Sequence, residues 1–309
     1  MWTNISEAPF LLTGFPGLQI AHHQISIPFL AAYDYILFGN GALLYLIKDD
    51  QSLQKPMYYF LAMLAGTDIM GTLTTMLTEM GILWVNHREI SHAGCFLQAY
   101  FIHSISIVES DILLAMAYDH FIAIHNPFRY ASQQYSSGKV RSGDFSEGFV
   151  LIRCLIVRLF SFSYCHSHVL SHAFCLQDIM KLACADITFN KLYPVILICL
   201  TTFLDFLIIL FSYILILRTI LGIASGEERA KALNTCISHI SSVLIFFGTG
   251  IGLSLIHRLG RNVPEVVHII MRYAYFRFPL LMNPFIYSIK IKQIHYGLIH
   301  LFSKHRFHS

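Results

Sequence analysis

Two carboxylates in this 309-residue chain stand where carboxylates rarely do: Asp68 in the run Leu61-Ala62-Met63-Leu64-Ala65-Gly66-Thr67-Asp68-Ile69-Met70, and Glu109 after Ile105-Ser106-Ile107-Val108. An ionised group inside an apolar run is paired, protonated or functional. Simple burial of a protonated or hydrogen-bonded acid is the structural alternative. Asn283-Pro284 interrupts another apolar run. The proline removes one backbone hydrogen bond and the amide can satisfy a neighbour, which allows a kink. Ser254 and Arg258 lie about one helical turn apart, and His103 lies about two turns beyond Cys95. A guanidinium offers a planar fork that fits a carboxylate through two parallel hydrogen bonds. These three side chains could line one pocket, with a snorkelling arginine and a helix-packing histidine as the structural alternatives. Of the seven cysteines, Cys165, Cys175 and Cys184 share one polar stretch and Cys95 heads an apolar one. That clustering suits an oxidised extracellular face, and four cysteines allow three pairings. Cys154, Cys199 and Cys236 read as free buried thiols.

The elements that must position these residues are membrane-spanning helices. The chain is 55% hydrophobic and only 13% charged, against about 25% charged for an average soluble domain. Apolar runs of spanning length fall at about 25–47, 57–85, 96–124, 148–164, 193–219, 236–257 and 266–289. They leave short loops and no room for a second soluble domain, so residues 1–309 form a single all-α, seven-span domain. The net charge of +3 is small and its basic residues are scattered, which excludes a nucleic-acid-binding stripe. A cleavable signal peptide is not visible, so the first span serves as the insertion signal.

Lys48, Lys55, Arg129, Lys139, Arg141, Arg218, Arg229, Lys231, Lys290, Lys292, Lys304 and Arg306 all fall on one side of such a bundle. The opposite side holds Arg88, Lys181, Lys191, Arg258, Arg261 and Arg272. This bias puts the N-terminus outside the cell and the C-terminus in the cytoplasm. Asn4-Ile5-Ser6 is then an accessible N-glycosylation acceptor on the bilayer's outer face. The fourth span is marginal, because Glu147, Arg153 and Arg158 interrupt it. An arginine near mid-bilayer costs about 2.5–3.5 kcal/mol on insertion scales. Seven spans are retained because six would put Asn4 and the cysteine-rich loop on opposite sides.

Several segments, in order, resemble the olfactory receptors: Gly14-Phe15-Pro16-Gly17-Leu18, Gly39-Asn40, Pro56-Met57-Tyr58-Tyr59-Phe60-Leu61, and Met116-Ala117-Tyr118-Asp119-His120-Phe121-Ile122-Ala123-Ile124-His125-Asn126-Pro127. Further on come Lys231-Ala232-Leu233-Asn234-Thr235-Cys236-Ile237-Ser238-His239 and Pro279-Leu280-Leu281-Met282-Asn283-Pro284-Phe285-Ile286-Tyr287. His257-Arg258-Leu259-Gly260 and the early Pro-Gly-Leu resemble the fish-like class I branch. The resemblance implies a rhodopsin-like G-protein-coupled receptor at the plasma membrane, with a short cytoplasmic amphipathic helix after the last span. Its partners would be a small odorant, often a carboxylic acid in this branch, and a stimulatory G protein that raises cyclic AMP.

By the same resemblance, Asp68 and Glu109 flank a sodium-binding cavity, and Asn283, Pro284 and Tyr287 belong to the activation switch. His103, Gln177, Ser254 and Arg258 would contact the ligand. Asp119, His120, Tyr213 and Lys231 would serve G-protein coupling. Cys95 would pair with Cys175, and Cys165 with Cys184. No enzymatic activity and no cofactor beyond sodium is implied.

The chain also departs from the pattern. His120 stands where the family has arginine after the aspartate, and His125 where cysteine is usual. A histidine is shorter and lacks the five donors of the guanidinium. The interval from Cys175 to Cys184 is one residue short, Asp111, Arg272 and Arg277 add charges, and residues 134–158 match poorly. These departures raise a second reading, a degraded receptor copy retained in the endoplasmic reticulum or coupling poorly. A small transporter or channel would be expected to show internal repeats or interrupted helices around a midplane site, which the sequence lacks. An intramembrane hydrolase would need a metal-binding histidine pair on one helix face with a third ligand, and none is visible.

Overall fold

In a bilayer every backbone N–H and C=O must be paired within its own segment, so apolar runs of these lengths fold as helices. The computed structural model describes residues 9–14, 22–53, 55–126, 188–222, 225–259, 265–290 and 294–297. It also describes the isolated positions 130, 157, 162, 164, 168–170, 175, 182–184 and 263. In chain order these residues form β1 (Phe10–Leu12), α1 (His22–Asp49), a 3-10 turn (Gln51–Leu53), α2 (Pro56–Val85), β2 (Glu89–Ile90) and α3 (His92–His125). After these come β3 (Val169–Leu170), α4 (Thr188–Leu221), α5 (Gly226–Leu259) and α6 (Glu265–Lys290). Helices α1 to α3 carry the first three expected spans, and α4 to α6 the fifth to seventh. The expected fourth span lies outside the described residues except for Val157, Phe162 and Tyr164. Residues 294–297 add a helical turn after α6.

Among the described residues, five stretches are long and apolar enough to cross a membrane: His22–Asp49, Pro56–Val85, His92–His125, Leu200–Leu221 and Ala232–Ile256. Helix α6 is less apolar, because Arg272, Arg277, Pro279 and Pro284 interrupt its run. Pro56 opens α2 where a backbone N–H would lack an intrahelical acceptor. Asn86, with φ 53°, turns the chain left-handed just after α2. Hydroxyls within the apolar helices bond back to their own carbonyls. Thr74 reaches Met70 O at 2.7 Å, Ser106 reaches Ile102 O at 3.1 Å and Thr249 reaches Ile245 O at 2.8 Å. None of these is left unpaired in hydrocarbon.

The chain divides into two compact units. The first comprises Met1–Asp34, Met70–Val108 and Gly143–Phe203. Its organiser is a three-stranded sheet in the order β2-β1-β3, with β1 antiparallel to β2 and parallel to β3. The N-terminal strand is therefore central. Leu11 N donates to His168 O at 2.8 Å, Leu12 N to Arg88 O at 2.8 Å and Thr13 N to Leu170 O at 2.9 Å. Phe10 and Leu12 point inward and are buried. Gly14, with φ 68°, follows, and a Cβ there would come within 2.8 Å of Ile82.

The second unit comprises Tyr35–Ile69, Glu109–Ser142 and Leu204–Ser309. Its apolar core joins Leu113 and Ala117 of α3 to Ile209 and Ile216 of α4 and to Val243 and Phe247 of α5. Helices α5 and α6 approach closely at small residues: a Cβ on Gly250 would come within 3.2 Å of Tyr275, and one on Gly252 within 2.9 Å of Met271.

Candidate functional site

The buried polar cluster of the second unit starts at Asp68, which is fully enclosed on α2. Asn283 of α6 donates its Nδ2 to both Asp68 carboxylate oxygens at 3.2 Å. Pro284 follows directly, and a Cβ on Gly39 of α1 would meet it at 3.1 Å. The glycine thus favours a close approach of α1 to α6 next to Asn283. Asn40, next in α1, donates Nδ2 to Ile36 O at 3.0 Å. Its Oδ1 and the Oε1 of Glu109 are buried oxygens with no hydrogen-bond partner. The Glu109 carboxylate is close enough to Asp68 for the two to interact electrostatically. Two carboxylates and an amide oxygen make a hard donor set, which suits a small hard cation. Tyr287 is buried on the same helix as Asn283.

A second cluster in this unit surrounds His120. Its ring is buried, and Nδ1–H donates to Met116 O at 2.6 Å. A carbonyl can only accept, which fixes the proton on Nδ1. The ring stacks on His239 of α5, with centroids 5.4 Å apart and planes at 15°. His239 Nδ1 is hydrogen-bonded to the hydroxyl of Tyr213 of α4, whose ring also stacks on it at 5.6 Å. The imidazole thus lies against α5. Asp119 Oδ2 accepts from Tyr130 OH at 3.2 Å. Burial and the Asp119 charge push the Tyr130 phenol above its ordinary pKa. Lys231 is helical within α5, and its side chain lies outside the described residues.

In the first unit Cys95 is joined to Cys175. Gln98, one turn along α3, donates from Nε2 to Thr74 O at 2.8 Å and Thr78 Oγ1 at 3.0 Å, while its Oε1 accepts from Cys175 N at 2.8 Å. One buried amide therefore ties α2, α3 and the disulfide together. Cys184 is also disulfide-bonded. Its expected partner Cys165 lies outside the described residues, although the adjacent Tyr164 bridges Ala183. His103 is half-buried on α3 in this unit, whereas Ser254 is exposed on α5 in the second. Gln177, Asn4 and the side chain of Arg258 lie outside the described residues.

Two further buried acids escaped the sequence reading. Glu79 of α2 accepts from Tyr33 OH at 2.6 Å, and Asp205 of α4 accepts from Ser110 Oγ at 2.7 Å. The rule that singled out Asp68 and Glu109, an ionisable group in an apolar run, selects both. Gln98 gave no comparable signal, because an amide near a helix end is ordinary, and His239 stood out only as the last residue of a segment that resembles the family.

The chain is similar to known proteins. The olfactory receptor family model matches residues 29–305. Olfactory receptor 51B2 of Homo sapiens is 73% identical over 100% of both chains. Olfactory receptor 51B5 of Homo sapiens is 62% identical over 97% of each. Among solved structures, squid rhodopsin superposes with a TM-score of 0.69 at 16% identity, covering 98% of this chain and 91% of that one. The fold is therefore the all-α, seven-helix bundle of a receptor, not an enzyme, and the protein is a multi-pass membrane protein. The chain belongs to the olfactory receptor family of rhodopsin-like G-protein-coupled receptors, in its class I branch.

Proposed function

We propose that this odorant receptor prefers small carboxylic acids and raises cyclic AMP through a stimulatory G protein. In this reading it is displayed at the plasma membrane with its N-terminus outside. Arg258 carries the reading: it lies in α5 about one turn beyond Ser254, where a guanidinium fork can hold a carboxylate in two parallel hydrogen bonds. A sodium ion at Asp68 and Glu109 belongs to the same reading, supported by the buried unpartnered oxygens of Glu109 and Asn40. Binding of octanoate and methyl octanoate to the full chain tests the ligand class. The acid should bind more tightly, and Arg258→Ala should narrow the difference. Equal affinities in the unaltered chain would refute the acid preference.

One observation favours a second reading, in which signalling is impaired. His120 is buried and engaged with Met116 O and His239, leaving no long cationic side chain after Asp119 to meet a G protein.

A further inference from the structure

Asp34 is an acid on the outer face of a spanning helix. It lies in α1, twelve residues after His22 and fifteen before Asp49, about 18 Å and 22 Å from the two ends at 1.5 Å per residue. The hydrocarbon core of a bilayer is about 30 Å thick, so this position falls well inside it. Tyr33, Ile36, Asn40 and Leu43 set the inward face of α1 and are all buried, at the spacing of one helical stripe. The opposite stripe runs through Ile27, Ala31, Asp34, Phe38 and Tyr45, every one of them exposed.

At that depth an exposed side chain meets lipid tails. Isoleucine, alanine, phenylalanine and tyrosine suit such a face, whereas ionisable groups in spanning helices ordinarily turn inward, as Asp68, Glu109 and Asp205 do. Asp34 does not. Among the described residues, none gives it a hydrogen bond or an ion pair. An aspartate is also too short to reach the membrane surface from here, as a lysine or arginine near a helix end can. The same stripe carries small residues on either side of the acid, Ala31 one turn before it and Gly41 two turns after. A Cβ on Gly41 would meet nothing within 4 Å. Small residues let the backbone of another helix come close.

We propose that this stripe of α1 is a docking surface for a membrane helix of another protein that carries a lysine or arginine at mid-depth, with Asp34 as the group that receives the cation. A carboxylate offers acceptors only, and a basic side chain supplies both the donors and the opposite charge. In hydrocarbon that attraction is scarcely screened. A symmetric pair of this chain through the same face would instead bring carboxylate to carboxylate, like charge against like.

The test uses Leu-rich model helices of about 20 residues that differ only at the central position, which is Lys, Glu or Leu. Energy transfer is measured in phosphatidylcholine vesicles between each labelled helix and the labelled full chain, either unaltered or Asp34→Leu. Asp34→Leu removes a charge from a lipid-facing site, so it should insert and fold at least as well as the unaltered chain, which a thermal melt checks. The unaltered chain should associate with the Lys helix about 5- to 30-fold more strongly than with the Leu or Glu helix, the range of an interhelical polar contact in a bilayer. In Asp34→Leu the three helices should bind alike. A Lys preference that persisted in folded Asp34→Leu would place the cation on another group and overturn the assignment. So would the lack of any Lys preference in the unaltered chain, which would leave Asp34 an acid that lipid alone tolerates. Self-association of the unaltered chain that Asp34→Leu abolished would make the occupant a second copy, and would overturn the proposal as well.

Discussion

In the unit that contains Cys95, position is fixed through the backbone and a covalent bond. Strand β1 is hydrogen-bonded on both edges, the disulfide fastens Cys175 to α3, and Gln98 holds the Cys175 amide. In the unit that contains Asp68, position depends on single side-chain contacts between helices: Asn283 on Asp68, Ser110 on Asp205, and Tyr213 and His120 on His239. Backbone pairing survives most substitutions, whereas each of these contacts can be broken by one. Activation by ligand requires two arrangements whose balance a ligand can shift. The unit built on separable contacts can supply them.

The largest effect that this contrast predicts is on the covalent tie. Cys175→Ser should cost about 2–5 kcal/mol and sharply lower the folded receptor recovered from cells. Gln98→Leu, which strands the Cys175 amide, should cost about 1–3 kcal/mol. Thermal melts of the purified chain with and without reductant check both. If Cys175→Ser melted with the unaltered chain, the sheet alone would suffice and the disulfide would lose its place in the comparison.

A smaller effect is expected at Asp68. Asn283→Ala removes both amide contacts with the carboxylate and should cost about 1–3 kcal/mol, read as a lower melting temperature. Sodium chloride, compared with choline chloride at equal ionic strength, should raise the melting temperature of the unaltered chain by mass action on the folded state. Asp68→Asn should abolish that difference. A sodium effect that persisted in Asp68→Asn would move the ion elsewhere.

Much of the fold was legible because apolar length is a physical requirement of a bilayer, visible one residue at a time. Among the described residues, five of the expected spans meet the length and apolarity of a membrane crossing, while α6 falls short for the charges that the sequence already displayed. The carboxylates Asp68 and Glu109 were legible for the same reason. Their partners were not, because Asn283 is 215 positions from Asp68 and only the tertiary fold brings them together. The sheet was illegible too. Its strands span two or three residues, too short for an alternating pattern to register. The inward turn of His120 depends on His239 and Tyr213 from two other helices, and so lay beyond any reading of the third span alone.

The smallest expected effect on stability, and the sharpest on signalling, belongs to His120. Replacing it with arginine removes the Nδ1–H bond to Met116 O and the stack on His239. The carbonyl keeps its helical partner, so the loss should stay near 1 kcal/mol, the net worth of one hydrogen bond. The gain is a long cation with five donors directly after Asp119, able to pair with that carboxylate at rest and to extend toward a G protein when α5 moves. The histidine offers neither. Its only ring donor is spent on its own helix, and its ring lies against the helix that must move. His120→Arg should therefore enlarge the cyclic-AMP response to an activating acid, with surface receptor matched between the two chains. His239→Ala, which removes the stack but adds no cation, should not. If both substitutions raised the response equally, the stack rather than the missing arginine would be what limits coupling. If neither did, coupling would be limited by another part of the chain, and the contrast between a fixed and a separable unit would no longer account for it.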